Sequence, residues 1–144
     1  MFNGIIFNTG SIKKIKKNRN SFQINVLTNL KFSKKDLGSS VSCNGVCLTI
    51  DKIKNNLISF YVSKETLERS NLRFIKDNQV INLEKSLIFG QKISGHFSQG
   101  HVDTVAKVKK IIIKDKAWIV KFQIHDKKFS KYVVDKASIT INGV

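Results

Sequence analysis

The stretch Val41-Ser42-Cys43-Asn44-Gly45-Val46 recurs near the end of the chain as Ile139-Thr140-Ile141-Asn142-Gly143-Val144. Each copy places Asn-Gly between alternating side chains. Both residues of that dipeptide tolerate positive φ, so the pattern predicts a two-residue turn closing a β-hairpin. Two further echoes lie upstream. Gly10-Ser11-Ile12-Lys13-Lys14-Ile15 returns as Ala106-Lys107-Val108-Lys109-Lys110-Ile111, and Phe32-Ser33-Lys34 returns as Phe129-Ser130-Lys131. The offsets are 96, 97 and 98 residues, so three fragments repeat in register. Two homologous β units of about 97 residues follow, the second ending where it reaches the counterpart of Val46.

Period-two alternation dominates between the repeats. Phe22 to Val26, Val46 to Ile53, Leu57 to Val62, Val80 to Leu83 and Lys116 to Ile124 read as strands, with Asn55-Asn56 as a hairpin turn. On the last of these Trp118, Val120, Phe122 and Ile124 share one face. Helical signals are short. Ser33-Lys34-Lys35-Asp36 fits a capping box with Gly38 as a left-handed stop, and Ser63 to Leu72 fits two turns. The expected class is all-β.

The 144 residues match one ordinary domain or two very small ones, and 41% hydrophobic with 25% charged residues disfavours a disordered chain. No apolar run approaches the roughly 18 to 20 residues of a membrane span. Met1-Phe2-Asn3-Gly4 does not open an export signal, so the cytoplasm is the default expectation. Net charge is +16. A nucleic-acid-binding barrel is one reading of that excess. The other is compositional: there are only three arginines, no proline, and the excess is spread as +10 over residues 1–96 and +6 over 97–144. A nucleic-acid barrel would also set aromatics along a cationic face, whereas Phe22, Phe60, Trp118 and Phe122 fall in apolar alternation. Specific nucleic-acid binding is not expected. Cys43 and Cys47 are too few for a disulfide framework. On one continuous strand their Cα atoms would stand about 13 Å apart, against a limit of about 7 Å for a bridge. They share no metal-ligand spacing with His96, His101 or His125.

Five ordered blocks carry a resemblance. They are Met1-Phe2-Asn3-Gly4-Ile5-Ile6, Ser42 to Thr49 (with Asn44-Gly45-Val46-Cys47-Leu48-Thr49 at its centre), Lys64-Glu65-Thr66-Leu67, Val80-Ile81-Asn82-Leu83-Glu84, and Gly95-His96-Phe97-Ser98-Gln99-Gly100-His101-Val102-Asp103. In order and spacing they resemble the riboflavin synthase (alpha chain) family over all 144 residues. The resemblance implies two tandem six-stranded antiparallel Greek-key barrels, each a lumazine-binding domain: residues 1–97, and 98–144 as a partial second barrel. It implies a transferase that dismutates two molecules of 6,7-dimethyl-8-ribityllumazine to riboflavin and 5-amino-6-ribitylaminouracil. The family needs neither metal nor organic cofactor, and its site forms between barrels of neighbouring subunits in a homotrimer.

Residue by residue, the resemblance implies a first ligand segment at Gly4, Ile5 and Ile6, and a second at Cys47, Leu48 and Thr49. A third spans Tyr61, Val62, Ser63, Lys64, Glu65 and Thr66. Gly100, His101, Val102 and Lys136 match positions of the shared interface site, and Cys47 and His101 match positions implicated in catalysis. Phe2 is expected to pack beside the site. The chemistry fits these types: a flat polar heterocycle needs backbone donors and acceptors, and removing a methyl proton needs a base and a nucleophile nearby. Without the motif, Cys47 would read as a small buried hydrophobe, His101 as a loop histidine and Lys136 as one solvated lysine among many. Asn3, Ser94 and Ala137 depart from the family's usual residues. Family members continue past the counterpart of Val144 with Ser-Leu-Thr and a C-terminal helix, so the resemblance implies a truncated second barrel with doubtful turnover on its own. A non-catalytic lumazine- or flavin-binding protein of the same fold is the alternative.

Overall fold

Strands β1 (Asn8–Asn18) and β2 (Ser21–Thr28) form a long hairpin in the computed structural model, which describes residues 1–144. Alternation sends Ile24 and Val26 of β2 inward to complete burial. β1 carries a bulge between Ile12 and Lys14, so its inward residues Ile12 and Ile15 stand three apart rather than two. The bulge hides this strand from a period-two reading of Lys13 to Lys17. Gly10 is needed here, because a Cβ would lie 2.5 Å from Val26 Cγ1 and 2.7 Å from Leu83 Cδ1.

β3 (Ser40–Cys43), β4 (Val46–Lys54) and β5 (Leu57–Ser63) form two successive hairpins, and β6 (Val80–Lys85) follows. The order β1-β2-β5-β4-β3-β6 closes on itself into an antiparallel barrel, in which every strand is paired on both sides over at least part of its length. Ile12, Ile24, Val26, Val41, Ile58, Phe60 and Val62 fill it. Helix α1 (Lys64–Arg69) and the 3₁₀ turn Asn71–Phe74 cover one end through Leu67 and Leu72. The capping box at Ser33 and Asp36 forms, and Gly38 has φ +80°.

The second unit begins with β7 (Ala106–Lys114) and β8 (Ala117–Ile124). Its register, Ala106↔Ile124 through Lys114↔Ala117 with a bulge between Val108 and Lys110, is that of β1–β2 displaced by 96 residues. The ribbon has no further strand partners. Trp118 is 68% and Phe122 40% exposed, while Val120 is half-buried. Asn142 and Gly143 reproduce the turn of Asn44 and Gly45, with φ of 52° and 92° against 50° and 82°. Ile141 and Val144 exchange the closing backbone bonds at 2.8 and 3.1 Å.

The two turns touch. A Cβ on Gly45 would lie 2.7 Å from the Gly143 nitrogen, so only glycine permits the approach. The Asn82 amide donates to the Asn142 carbonyl at 3.0 Å, and the Asn71 amide to Asn142 Oδ1 at 2.9 Å. No helix is long and apolar enough to cross a membrane.

Candidate functional site

Cys43 and Cys47 do not share a strand: they flank the Asn44-Gly45 turn, with Cys43 opposite Val46 and Cys47 opposite Ser42. Alternation then points them to opposite faces. Cys43 is fully buried in the core, where desolvation pushes its thiol well above the ordinary range. Cys47 points outward and is half-buried. Opposed faces replace strand length as the reason the pair is unbridged, and the buried-hydrophobe role falls to Cys43.

Across the sheet, Glu84 pairs with Ser42 and Ser42 with Cys47. Lateral neighbours share a face, so these three side chains form a row on the outside of β6, β3 and β4. The N-terminal segment lies against this region. Phe2 is 1% exposed and bridges Ser98 through bonds of 2.8 and 3.0 Å. Gly100 accepts the Cys47 N–H at 2.8 Å, and a Cβ there would lie 2.9 Å from Cys47 Cβ and 3.1 Å from Phe2 Cε2. Phe2, Cys47 and Gly100 therefore meet at one point. His101 follows Gly100 with its side chain exposed, and Val102 turns in against the core. The expected division near residue 97 thus lies within a segment, His96 to Gly100, that hydrogen-bonds to the first unit.

The β4–β5 ladder runs from Lys54↔Leu57 to Ile50↔Phe60 and stops. Beyond it, residues 46–49 stay paired to β3 and residues 61–63 to β2. The two strands are thus held on their outer sides and part where they face each other. This opening lies between Cys47-Leu48-Thr49 and Tyr61-Val62-Ser63, two of the three expected ligand segments. Leu48 and Val62 are buried, while Thr49 and Tyr61 are exposed. At the end of β5, Ser63 caps α1: its hydroxyl accepts the Thr66 N–H at 3.2 Å and lies 3.0 Å from Thr66 Oγ1. A strand edge facing small hydroxyls suits a flat ring bearing alternating donors and acceptors.

Other expected residues sit apart from this rim. Lys64 and Glu65 point to α1 partners, Glu68 at 3.7 Å and Arg69 at 3.1 Å. Lys136 is exposed with φ +61° and makes no hydrogen bond or ion pair with the other named residues. Gly4, with φ +73°, and Ile6 lie near the Gly143 turn: a Cβ on Gly4 would be 3.9 Å from Gly143 O, and one on Gly143 would be 3.2 Å from Ile6 Cδ1. A separate cleft of about 510 Å³ opens between α1 and the second unit, lined by Glu65, Arg69, Asp103, His125 and Asp126. Sequence reasoning gave no role to Ser42, Glu84 or Gly45. Their signal was present, since Ser42 and Gly45 belong to the repeated Val41–Val46 fragment and Glu84 closes a recognised block.

Comparison with known proteins agrees with this geometry. Residues 3–86 and 99–144 match the lumazine binding domain. The chain is 34% identical to riboflavin synthase of Escherichia coli (strain K12) over 146 residues, covering all of this chain and 68% of that protein. It is 33% identical to riboflavin synthase of Bacillus amyloliquefaciens, covering all of this chain and 66% of the relative. The chain thus spans about two thirds of the length of these curated relatives. The crystal structure of LumP complexed with riboflavin superposes with a TM-score of 0.84 at 27% identity, over 100% of this chain and 78% of LumP. LumP complexed with 6,7-dimethyl-8-(1'-D-ribityl) lumazine gives 0.81 at 27%, over 100% and 77%. A closed barrel with a parted β4–β5 rim, a hairpin repeated in register and similarity to these enzymes along the whole of this chain together place it in the riboflavin synthase family, built from lumazine-binding domains.

Proposed function

We propose that this chain binds 6,7-dimethyl-8-ribityllumazine in its first barrel and serves as a cytoplasmic riboflavin synthase. Two lumazines would be dismutated to riboflavin and 5-amino-6-ribitylaminouracil, with subunits associating as a homotrimer. The observation that carries this reading is the parting of β4 from β5 beyond Ile50↔Phe60. It leaves strand edges at Cys47 to Thr49 and Tyr61 to Ser63 free to meet a heterocycle, with Ser63 and Thr66 at the end. Gly4, Ile5 and Ile6 would supply backbone contacts, and Lys64 and Glu65 would join the site from α1. Cys47 and His101 are proposed to act in catalysis, with Gly100 fixing the Cys47 backbone at 2.8 Å. Val102 and Lys136 would complete the shared site, and residues 1–97 and 98–144 are proposed as the two units.

The chain's likeness to LumP supports a second reading, a non-catalytic lumazine- or flavin-binding protein. Both readings require binding and only turnover separates them. Titration with riboflavin should quench or shift flavin fluorescence, and an unchanged spectrum at high protein concentration would remove both. Riboflavin formation from purified lumazine then decides. Turnover that falls at least about tenfold in Cys47→Ala and His101→Gln, with unfolding midpoints held, supports the enzyme. Binding without turnover supports the alternative.

A further inference from the structure

Glu84 closes the block Val80-Ile81-Asn82-Leu83-Glu84, to which the binding reading assigns no role. It is 9% exposed, and a buried carboxylate is costly unless its oxygens are satisfied. Both oxygens are used on the N-terminal segment. One accepts the Asn3 N–H at 2.5 Å and the other the Gly4 N–H at 3.1 Å. Charge-assisted bonds of this kind are among the stronger ones a protein makes.

The remaining bonds of the segment go elsewhere. Met1 C=O accepts from Leu87 at 2.9 Å, Phe2 exchanges bonds with Ser98, and Asn3 C=O accepts from His96 at 3.1 Å. The N–H groups of Asn3 and Gly4 are left to Glu84. Gly4 turns the chain with φ +73°, and Ile5 and Ile6 follow at once. Glu84 thus fixes the point from which the first ligand segment departs. It also governs the other end, because Phe2 precedes Asn3 and packs where Gly100 holds Cys47.

We infer that Glu84 is a positioning residue for the lumazine or flavin site: its carboxylate pins Asn3 and Gly4 over the Glu84–Ser42–Cys47 row and so sets both the Gly4–Ile6 segment and the Phe2–Gly100–Cys47 contact. The inference rests on the binding site proposed above. It does not make Glu84 a group that touches substrate.

The test compares the 144-residue chain with Glu84→Gln by riboflavin fluorescence titration and by amide hydrogen exchange at Gly4. Glutamine keeps the length but offers one oxygen and sets an NH₂ against the second N–H. Riboflavin affinity should fall about tenfold, as for one lost bond to a charged group. Gly4 exchange should accelerate while exchange at Ile24 and Phe60 stays unchanged, a split that general destabilisation would not give. Unaltered affinity, or unaltered Gly4 exchange, overturns the inference. If the parent chain itself fails to bind riboflavin, the binding site is refuted, and Gly4 exchange alone decides whether Glu84 pins the segment. Should Glu84→Gln not fold, Glu84→Asp keeps both oxygens on a shorter arm. It should lose about two- to threefold in affinity with faster Gly4 exchange, and parent-like values in both would overturn the inference.

Discussion

Residues 10–28 and 106–124 are one hairpin written twice, with the same register and the same bulge, yet their side chains meet different surroundings. Ile24 is fully buried while its counterpart Val120 is half-exposed. Val26 is fully buried while its counterpart Phe122 is 40% exposed. Alternation is equal in both. The difference is in neighbours: β1 gains β6 and β2 gains β5, whereas β7 and β8 have only each other. A two-stranded ribbon is marginal in water, and a closed barrel is not. Burial here is a property of the partners a strand finds.

The sharpest way to break this comparison is to truncate equivalent residues. Ile24→Ala should cost about 2–5 kcal/mol in denaturant unfolding, the range for a fully buried isoleucine. Val120→Ala should cost less than about 1 kcal/mol. Equal losses would mean that the ribbon finds a covered environment in solution.

The junction of the two units gives the next effect. Gly45→Ala forces alanine to φ +82° and places its Cβ 2.7 Å from the Gly143 nitrogen. Gly38→Ala, at φ +80° with open space around it, meets only the first difficulty. The left-handed conformation costs about 1–2 kcal/mol in each, and Gly45→Ala should exceed Gly38→Ala by a further measurable margin in thermal unfolding. A difference of zero would mean that the turns separate freely.

Smaller still is the helix cap. Ser63→Ala removes the acceptor for the Thr66 N–H and should cost about 1 kcal/mol. It should also weaken riboflavin binding if the Ser63–Thr66 pair lies at the rim of the site.

The smallest effect is in pH. Asp36 in the first unit belongs to the capping box of one 3₁₀ turn, and Asp126 in the second is the N-cap of another. Bonds from the Ser33 backbone and hydroxyl hold Asp36 below the usual carboxylate range, and bonds from the Lys128 ammonium and backbone do the same for Asp126. A depressed folded value means that stability is present above the unfolded pKa of about 3.9 and is lost as pH falls through the folded one. Asp36→Asn should flatten the acid limb of the urea midpoint below about pH 4. Asp126→Asn should leave the barrel's midpoint unmoved, because the ribbon contributes little to its unfolding. A shift from Asp126→Asn as large as that from Asp36→Asn would show that the two units unfold together.

The period-two runs at Phe22 to Val26, Val46 to Ile53 and Leu57 to Val62, both Asn-Gly turns and the capping box at Ser33 were legible in the sequence. Each is decided by local rules: alternation of side chains, tolerance of positive φ, and a hydroxyl three residues before a carboxylate. The 96- to 98-residue repeat was legible for the same reason, since identity of local signals needs no third dimension. β1 was not, because its bulge breaks the period. Nor was the parting of β4 from β5, which depends on β3 and β2 holding the two strands from outside. The Glu84–Ser42–Cys47 row sets Glu84 beside residues 37 and 42 positions earlier in the chain through strand register. The Gly45–Gly143 contact joins two turns 98 positions apart. These are pairings over long sequence separation, and only the closed barrel, which sets every register at once, decides them.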